Sequence, residues 1–181
     1  MRAASSELSI AICDANVLID YFDVDEDLIR ELVRCWKQVY VPDVVLHEVR
    51  RTNQKRAEEL GLVILETPLE LPESKRLSFA DRACLYFVVQ NHWICITNDA
   101  RLGAECLNRG EQVVRGLEML IKMTQIGHIT TARALDCAER IHRINPAITA
   151  ELLARFKQLL EPAPKVVQKK SQTSRRKGRH E

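Results

Sequence analysis

Leu8-Ser9-Ile10-Ala11-Ile12-Cys13-Asp14-Ala15-Asn16-Val17-Leu18-Ile19-Asp20 is the stretch whose reading decides the fold. Leu8 to Cys13 is short, almost wholly apolar and without helical periodicity, so it reads as a strand buried on both faces of a parallel sheet. Asp14 ends the run at the strand's carboxyl end. In an open α/β sheet ligands bind at that edge, because successive helices begin there and leave a crevice lined by strand ends. Asp14 also suits the N-cap of a helix from Ala15 to Phe22. Asn16 falls near the same crevice.

Outward from this stretch, strands and helices alternate. Leu28, Ile29, Leu32 and Val33 give helical spacing to Asp25–Lys37, and Gln38–Val41 is a short strand. Pro42 is placed to open a helix with Val44, Val45, Leu46 and Val49 on its apolar face. A polar helix from Asn53 to Leu60 is closed by Gly61, and Leu62–Leu65 is another buried strand. After a loop with Pro68 and Pro72, Ser78 caps a helix running to Asn91. Trp93–Thr97 is a strand, Ala100–Asn108 a helix closed by Gly110, and Gln112–Val114 a last strand. The alternation predicts a parallel sheet covered on both sides, an α/β class. Three helices follow without a strand: Gly116–Ile126, Thr130–Ile141 and Pro146–Leu160. The Leu/Ile/Met pattern from Leu117 to Ile126 reads as core or as the face of a homodimer.

With 181 residues, 46% of them hydrophobic, the chain suits one globular unit with enough length to bury a sizeable core. No stretch has the roughly 18 consecutive apolar residues of a membrane span, and the N-terminus leads straight into a strand rather than a signal-peptide core. A cytoplasmic protein with no membrane partner is therefore expected. The six cysteines (13, 35, 84, 95, 106 and 137) form no C-x-x-C pair and meet no His at zinc spacing. They read as small buried hydrophobes with reduced thiols. The net charge of +2 hides an asymmetry: residues 162–181 hold seven of the 27 basic residues and one of the 25 acidic ones. The expected organisation is an α/β core over 1–115, a helical extension over 116–160 packed on it, and a disordered basic tail over 161–181.

Four carboxylates fall at suggestive places. Asp14 and Asp99 each follow a strand at the carboxyl edge; Glu48 continues the inward face of the Pro42 helix; Asp81 lies in the first turn of the helix that Ser78 caps. Each has a structural alternative: N-capping for Asp14 and Asp99, a capping box with Ser78 for Asp81, and an ion pair with Arg51 for Glu48. Two carboxylates about 5 Å apart repel by roughly 3 kcal/mol at an effective dielectric of 20, so four in one crevice call for a compensating cation. An all-oxygen donor set favours a hard ion, Mg²⁺ or Mn²⁺. Such an ion beside a phosphate activates the attacking water and stabilises phosphoryl charge, which is the chemistry of phosphodiester hydrolysis.

Ile12-Cys-Asp-Ala-Asn-Val-Leu-Ile-Asp20, Pro42-Asp-Val-Val-Leu-His-Glu-Val49, Ser78-Phe-Ala-Asp-Arg-Ala83 and Thr97-Asn-Asp-Ala-Arg-Leu102 resemble the four ordered motifs of PIN-domain proteins, including the VapC-type toxins of toxin–antitoxin pairs. The likeness spans about residues 8–115. It implies a three-layer α/β/α sandwich with a central parallel sheet and C-terminal helices. It also implies an Mg²⁺- or Mn²⁺-dependent ribonuclease that leaves a 5′ phosphate, with Asp14, Glu48, Asp81 and Asp99 as catalytic and metal-holding residues. Asn16 and Thr97 would support them. By the same resemblance the partners would be RNA and a small antitoxin protein. Gly116-Leu-Glu-Met-Leu120 followed by Ile126-Gly-His-Ile129 resembles the helical extension of a longer PIN-like branch. Some relatives carry another acid shortly after the fourth Asp, where this chain has Ala100, Arg101 and Leu102, which leaves a second metal site without that donor.

Arg82 and Arg101 adjoin two of the acids and are candidates for holding phosphate, with surface salt bridging as the alternative. Lys169, Lys170, Arg175 and Arg176 are candidates for RNA contact, against a merely solubilising tail. His47 adjoins Glu48, but helical neighbours point about 100° apart. His92, His128 and His142 share no metal spacing. Two rivals to the ribonuclease remain: a PIN-like binding module that turns nothing over, and a phosphatase with an aspartyl intermediate, for which Asp14-Ala15-Asn16 lacks the usual second Asp.

Overall fold

A computed structural model describes residues 9–160. The basic tail, with Lys169, Lys170, Arg175 and Arg176, lies outside the described residues. Among those described, β1 (Ile10–Cys13), α1 (Ala15–Val24), α2 (Asp27–Arg34), β2 (Gln38–Pro42), α3 (Asp43–Leu46), α4 (Gln54–Glu59) and β3 (Val63–Leu65) build the first half. They are followed by α5 (Phe79–Asn91), β4 (Ile94–Ile96), α6 (Ala100–Asn108), β5 (Val113–Val114), α7 (Gly116–Gln125), α8 (Thr131–Ile144) and α9 (Ala150–Leu160).

The five strands form one parallel sheet in the order β3-β2-β1-β4-β5. The chain winds outward from β1 through β2 to β3, then returns across β1 to lay down β4 and β5. The order therefore reverses between β1 and β4, where Ile12 pairs with Cys95 and Cys13 with Ile96. A reversal of this kind opens a crevice at the carboxyl ends of the two strands. The residues that follow β1 and β4 supply Asp14 and Asp99.

Successive β1 residues Ala11, Ile12 and Cys13 are all fully buried, so both faces of the central strand are covered. This explains why the strand is continuously apolar rather than alternating. On one face α5 packs across β1, β2 and β4, flanked by α3 and α6. On the other, α1 packs with α2 and α8, and α7 contacts α2, α8 and α9. The result is a three-layer α/β/α sandwich. All six cysteines are buried free thiols within it. None of the described helices is long and apolar enough to cross a membrane.

The structure corrects three expected boundaries. Pro42 ends β2 and precedes α3 instead of lying in its first turn, and α3 is a single turn rather than a helix reaching Val49. Asp43 draws the chain aside here, its Oδ1 accepting from the Val44 N–H and from both the N–H and hydroxyl of Thr67. Beyond Leu46 the backbone tightens to i→i−3 bonds, from Glu48 to Val45 and from Val49 to Leu46, so Glu48 is presented from a turn. Finally, α9 begins at Ala150, because Asn145 forms a turn whose Oδ1 accepts from the Ala147 N–H at 2.9 Å. Within α7, Met119, Leu120 and Met123 are core residues.

Candidate active site

Asp14 lies at the floor of the crevice and is only 2% exposed. Its backbone is fixed by an N–H bond to the Ile96 carbonyl, 2.9 Å, which holds the end of β1 against β4. Its carboxylate is fixed on both oxygens: Oδ1 accepts from the Ala15 N–H at 2.7 Å, while Oδ2 accepts from the Thr97 hydroxyl at 2.8 Å and from Asn16 Nδ2 at 3.4 Å. Burial raises the carboxyl, the Thr97 bond opposes it, and the charges of Asp81 and Asp99 raise it further, to about 6. A group fixed this firmly yet hard to ionise lacks a nearby positive charge.

Thr97, itself fully buried, joins two of the acids. Its Oγ1 donates to Asp14 and accepts from the Asp99 N–H at 3.0 Å, setting the turn that carries Asp99. Asp99 caps α6, its Oδ1 accepting from the N–H groups of Arg101 and Leu102 at 2.8 and 2.7 Å. Among the described residues its Oδ2 accepts no hydrogen bond. Asp81 completes a reciprocal capping box: Ser78 Oγ accepts from the Asp81 N–H and Asp81 Oδ2 accepts from the Ser78 N–H, both at 3.0 Å. Capping thus fixes one oxygen of Asp81 and one of Asp99.

Glu48 stands on the exposed rim, its carboxyl raised by partial burial and by the charge of Asp81. The alternative for Glu48, an ion pair with Arg51, does not form; Arg51 Nε instead meets Asp23 at 2.5 Å. Arg82 turns from the acids, donating to the Pro72 carbonyl at 3.5 Å and lying over the Phe79 ring. Arg101 and Asn16 are exposed at the edge of the crevice.

Three supporting residues escaped the sequence reading. Asp20, 4% exposed, accepts from Asn98 Nδ2 at 3.0 Å and from Asn145 Nδ2 at 2.9 Å, tying α1 to the loop after β4 and to the α8–α9 turn. Burial raises its carboxyl to about 6, against the pull of those two amides. Arg115 Nη1 donates to the carbonyls of Thr97 and Asp99, both at 3.0 Å, clamping the turn between the two acids from behind. Gly103 makes room for that guanidinium: a Cβ there would stand 2.8 Å from Arg115 Nη2. An Asp on the buried face of an apolar helix was a visible signal for Asp20; Arg115 had none beyond its place before Glu118.

Four carboxylates on four elements form an all-oxygen donor set, which fits Mg²⁺ or Mn²⁺. Among the described residues no three Asp, Glu, His or Cys groups stand close enough to ligate one ion directly. Held there, a hard ion would take most of its coordination from water rather than from these carboxylates.

No family model matches the chain, and no curated protein does. Among solved structures, the fold is similar to that of a PilT N-terminus (PIN) domain protein from the hyperthermophilic archaeon Sulfolobus solfataricus P2. The TM-score is 0.52 at 9% identity, over 63% of this chain and 92% of that one. The likeness is one of fold: this chain has a PIN-like architecture.

Proposed function

We propose that the protein is a divalent-metal-dependent endoribonuclease, hydrolysing RNA phosphodiester bonds at the crevice between β1 and β4. The observation that carries this is the environment of Asp14, a buried carboxylate locked by Ala15 and Thr97 while Asp81 and Asp99 raise it from two other elements. Asp14, Asp81, Asp99 and Glu48 would hold Mg²⁺ or Mn²⁺; when bound, the ion supplies activation of the attacking water and neutralisation of phosphoryl charge. The chain's own part is positioning. Thr97 keeps Asp14 and the Asp99 turn in register, Arg115 braces that turn, and the Ser78 capping box fixes Asp81 at the mouth. Glu48, on the rim, is placed to accept a proton from water at the edge of the crevice.

The ordered motifs support a toxin held in check by a small partner protein, with the basic tail available to neutralise RNA phosphates. A toxin of this kind would copurify with the product of a neighbouring short gene. One observation favours a second reading, a silent PIN-like module that binds nucleic acid or a partner: no three acids stand within direct ligation distance of one ion. The deciding experiment incubates purified, partner-free protein with a broad panel of RNAs and Mg²⁺ or Mn²⁺. Cleavage that EDTA abolishes supports the nuclease; RNA bound but never cut across the panel establishes the module.

A further inference from the structure

Beside the acids lies a second concavity of about 710 Å³, between the loop after β4 and helices α7 and α9. It shares Asn16 and Asp99 with the candidate active site. Its walls are mostly apolar, from Leu117 and Ile121 on α7 and from Leu152, Phe156 and Leu159 on one face of α9. Leu152 and Leu159 are 45% and 56% exposed, an unusual degree for apolar side chains that share one helix face. The volume lies within the range of about 300–1,000 Å³ for small-ligand sites.

The polar groups of the cavity are largely engaged elsewhere. Asn98 donates an amide N–H to Asp20 and accepts from the Gly116 N–H, while Asn145 donates an N–H to Asp20 and accepts from the Ala147 N–H. They stiffen the wall and offer little hydrogen-bond readout. The lining carries two cations, Arg115 and the exposed Arg155, and two acids, Asp99 and Glu118; Glu118 accepts from the Arg115 N–H, and among the described residues Arg155 makes no ion pair. A mostly apolar slot with the unpaired Arg155 at its edge, opening onto the candidate phosphodiester site, suits a flat ring joined to phosphate. Stacking on such a surface tolerates any base, because every base has a π-face.

We propose that this cavity is a nucleobase subsite: resting on the nuclease reading, it takes the base of a nucleotide adjoining the scissile phosphate, by shape and stacking, with Arg155 closing over the ring. Base stacking on aromatic side chains raises affinity about tenfold or more per base. The substrate class that follows is single-stranded RNA, since a paired base cannot enter.

The test measures affinity of the full chain for AMP, UMP and ribose 5-phosphate with Mg²⁺ present, by calorimetry or NMR titration. Both nucleotides are expected to bind about tenfold more tightly than ribose 5-phosphate. Ala147→Trp, which fills the mouth, and Leu152→Asp, at an exposed position, should each erase that preference with the melting temperature unchanged. Equal affinity for the three probes, or a preference surviving both variants, overturns the subsite. So does Leu152→Asp releasing a copurifying protein while nucleotide binding is untouched, which would make the cavity a protein groove. Base preference in a protein that cuts no RNA upholds the subsite and overturns the nuclease; cleavage without base preference does the reverse.

Discussion

Asp20→Asn should change the pH dependence of stability more than stability itself. The Asp20 carboxyl is nearly inaccessible, and burial raises it from an ordinary 3.8 to about 6, with Asn145 and Asn98 opposing and Asp23 adding to the rise. Because its pKa is higher folded than unfolded, the folded chain binds more protons between about pH 4 and pH 6. Stability is therefore greatest below that window and falls as pH rises through it. At 1.36 kcal/mol per pH unit the whole effect is about 3 kcal/mol. Asparagine cannot titrate; its one oxygen, placed where Oδ2 accepts from both amides, keeps those bonds, but its NH2 replaces Oδ1, which also accepts from Asn145, so it forfeits one hydrogen bond worth about 1 kcal/mol. The variant should be about 1 kcal/mol less stable than wild type well below pH 4, equal to it near pH 4.5 and about 2 kcal/mol more stable at pH 7.5. Urea unfolding of both proteins without added metal, at half-unit pH steps, measures the difference. Parallel stability curves would refute the buried, ionisable Asp20 described above.

Gly103→Ala should displace the Arg115 guanidinium, loosen the Thr97–Asp99 turn and destabilise by about 1–3 kcal/mol, with a loss of metal affinity that a merely overpacked helix would not show; unfolding and metal titration together read this out. Ser78→Ala removes the α5 capping box and should cost about 1 kcal/mol in thermal unfolding, while Ser78→Thr should retain most of it. Tyr21→Phe removes a buried hydroxyl that donates to the Gly116 carbonyl at 2.7 Å between α1 and α7, and should lose about 1–2 kcal/mol in chemical denaturation.

The sheet was legible because its signals are local. A continuous apolar run such as Ile10–Cys13 fits little but a strand buried on both faces, and caps such as Ser78 and Asp99 mark helix starts by their own hydrogen bonds. Asp14 and Asp99 were legible as edge residues for the same reason. The α3 region was not, because the start of that helix is held by Asp43 reaching across to Thr67, a contact 24 residues away in sequence. Arg115 and Asn145 were missed on the same ground: they act on residues 16 to 18 and 125 positions away. Nor did periodicity reveal that one face of α9 lines a cavity beside the acids, since an amphipathic helix looks the same whether its apolar face meets core or an open slot.

The measurement that bears most directly on the central claim, that four acids form one cation-dependent site, is the melting temperature with and without saturating Mn²⁺. It is made in wild type and in Asp14→Asn, Glu48→Gln, Asp81→Asn and Asp99→Asn. Ion binding only to the folded state at 100 times its Kd adds about 2.7 kcal/mol, which for a chain of this size is a rise of roughly 5–10 °C. A shared site predicts that rise in wild type and its loss, wholly or in large part, in each of the four variants. An equal rise in all five proteins would contradict it.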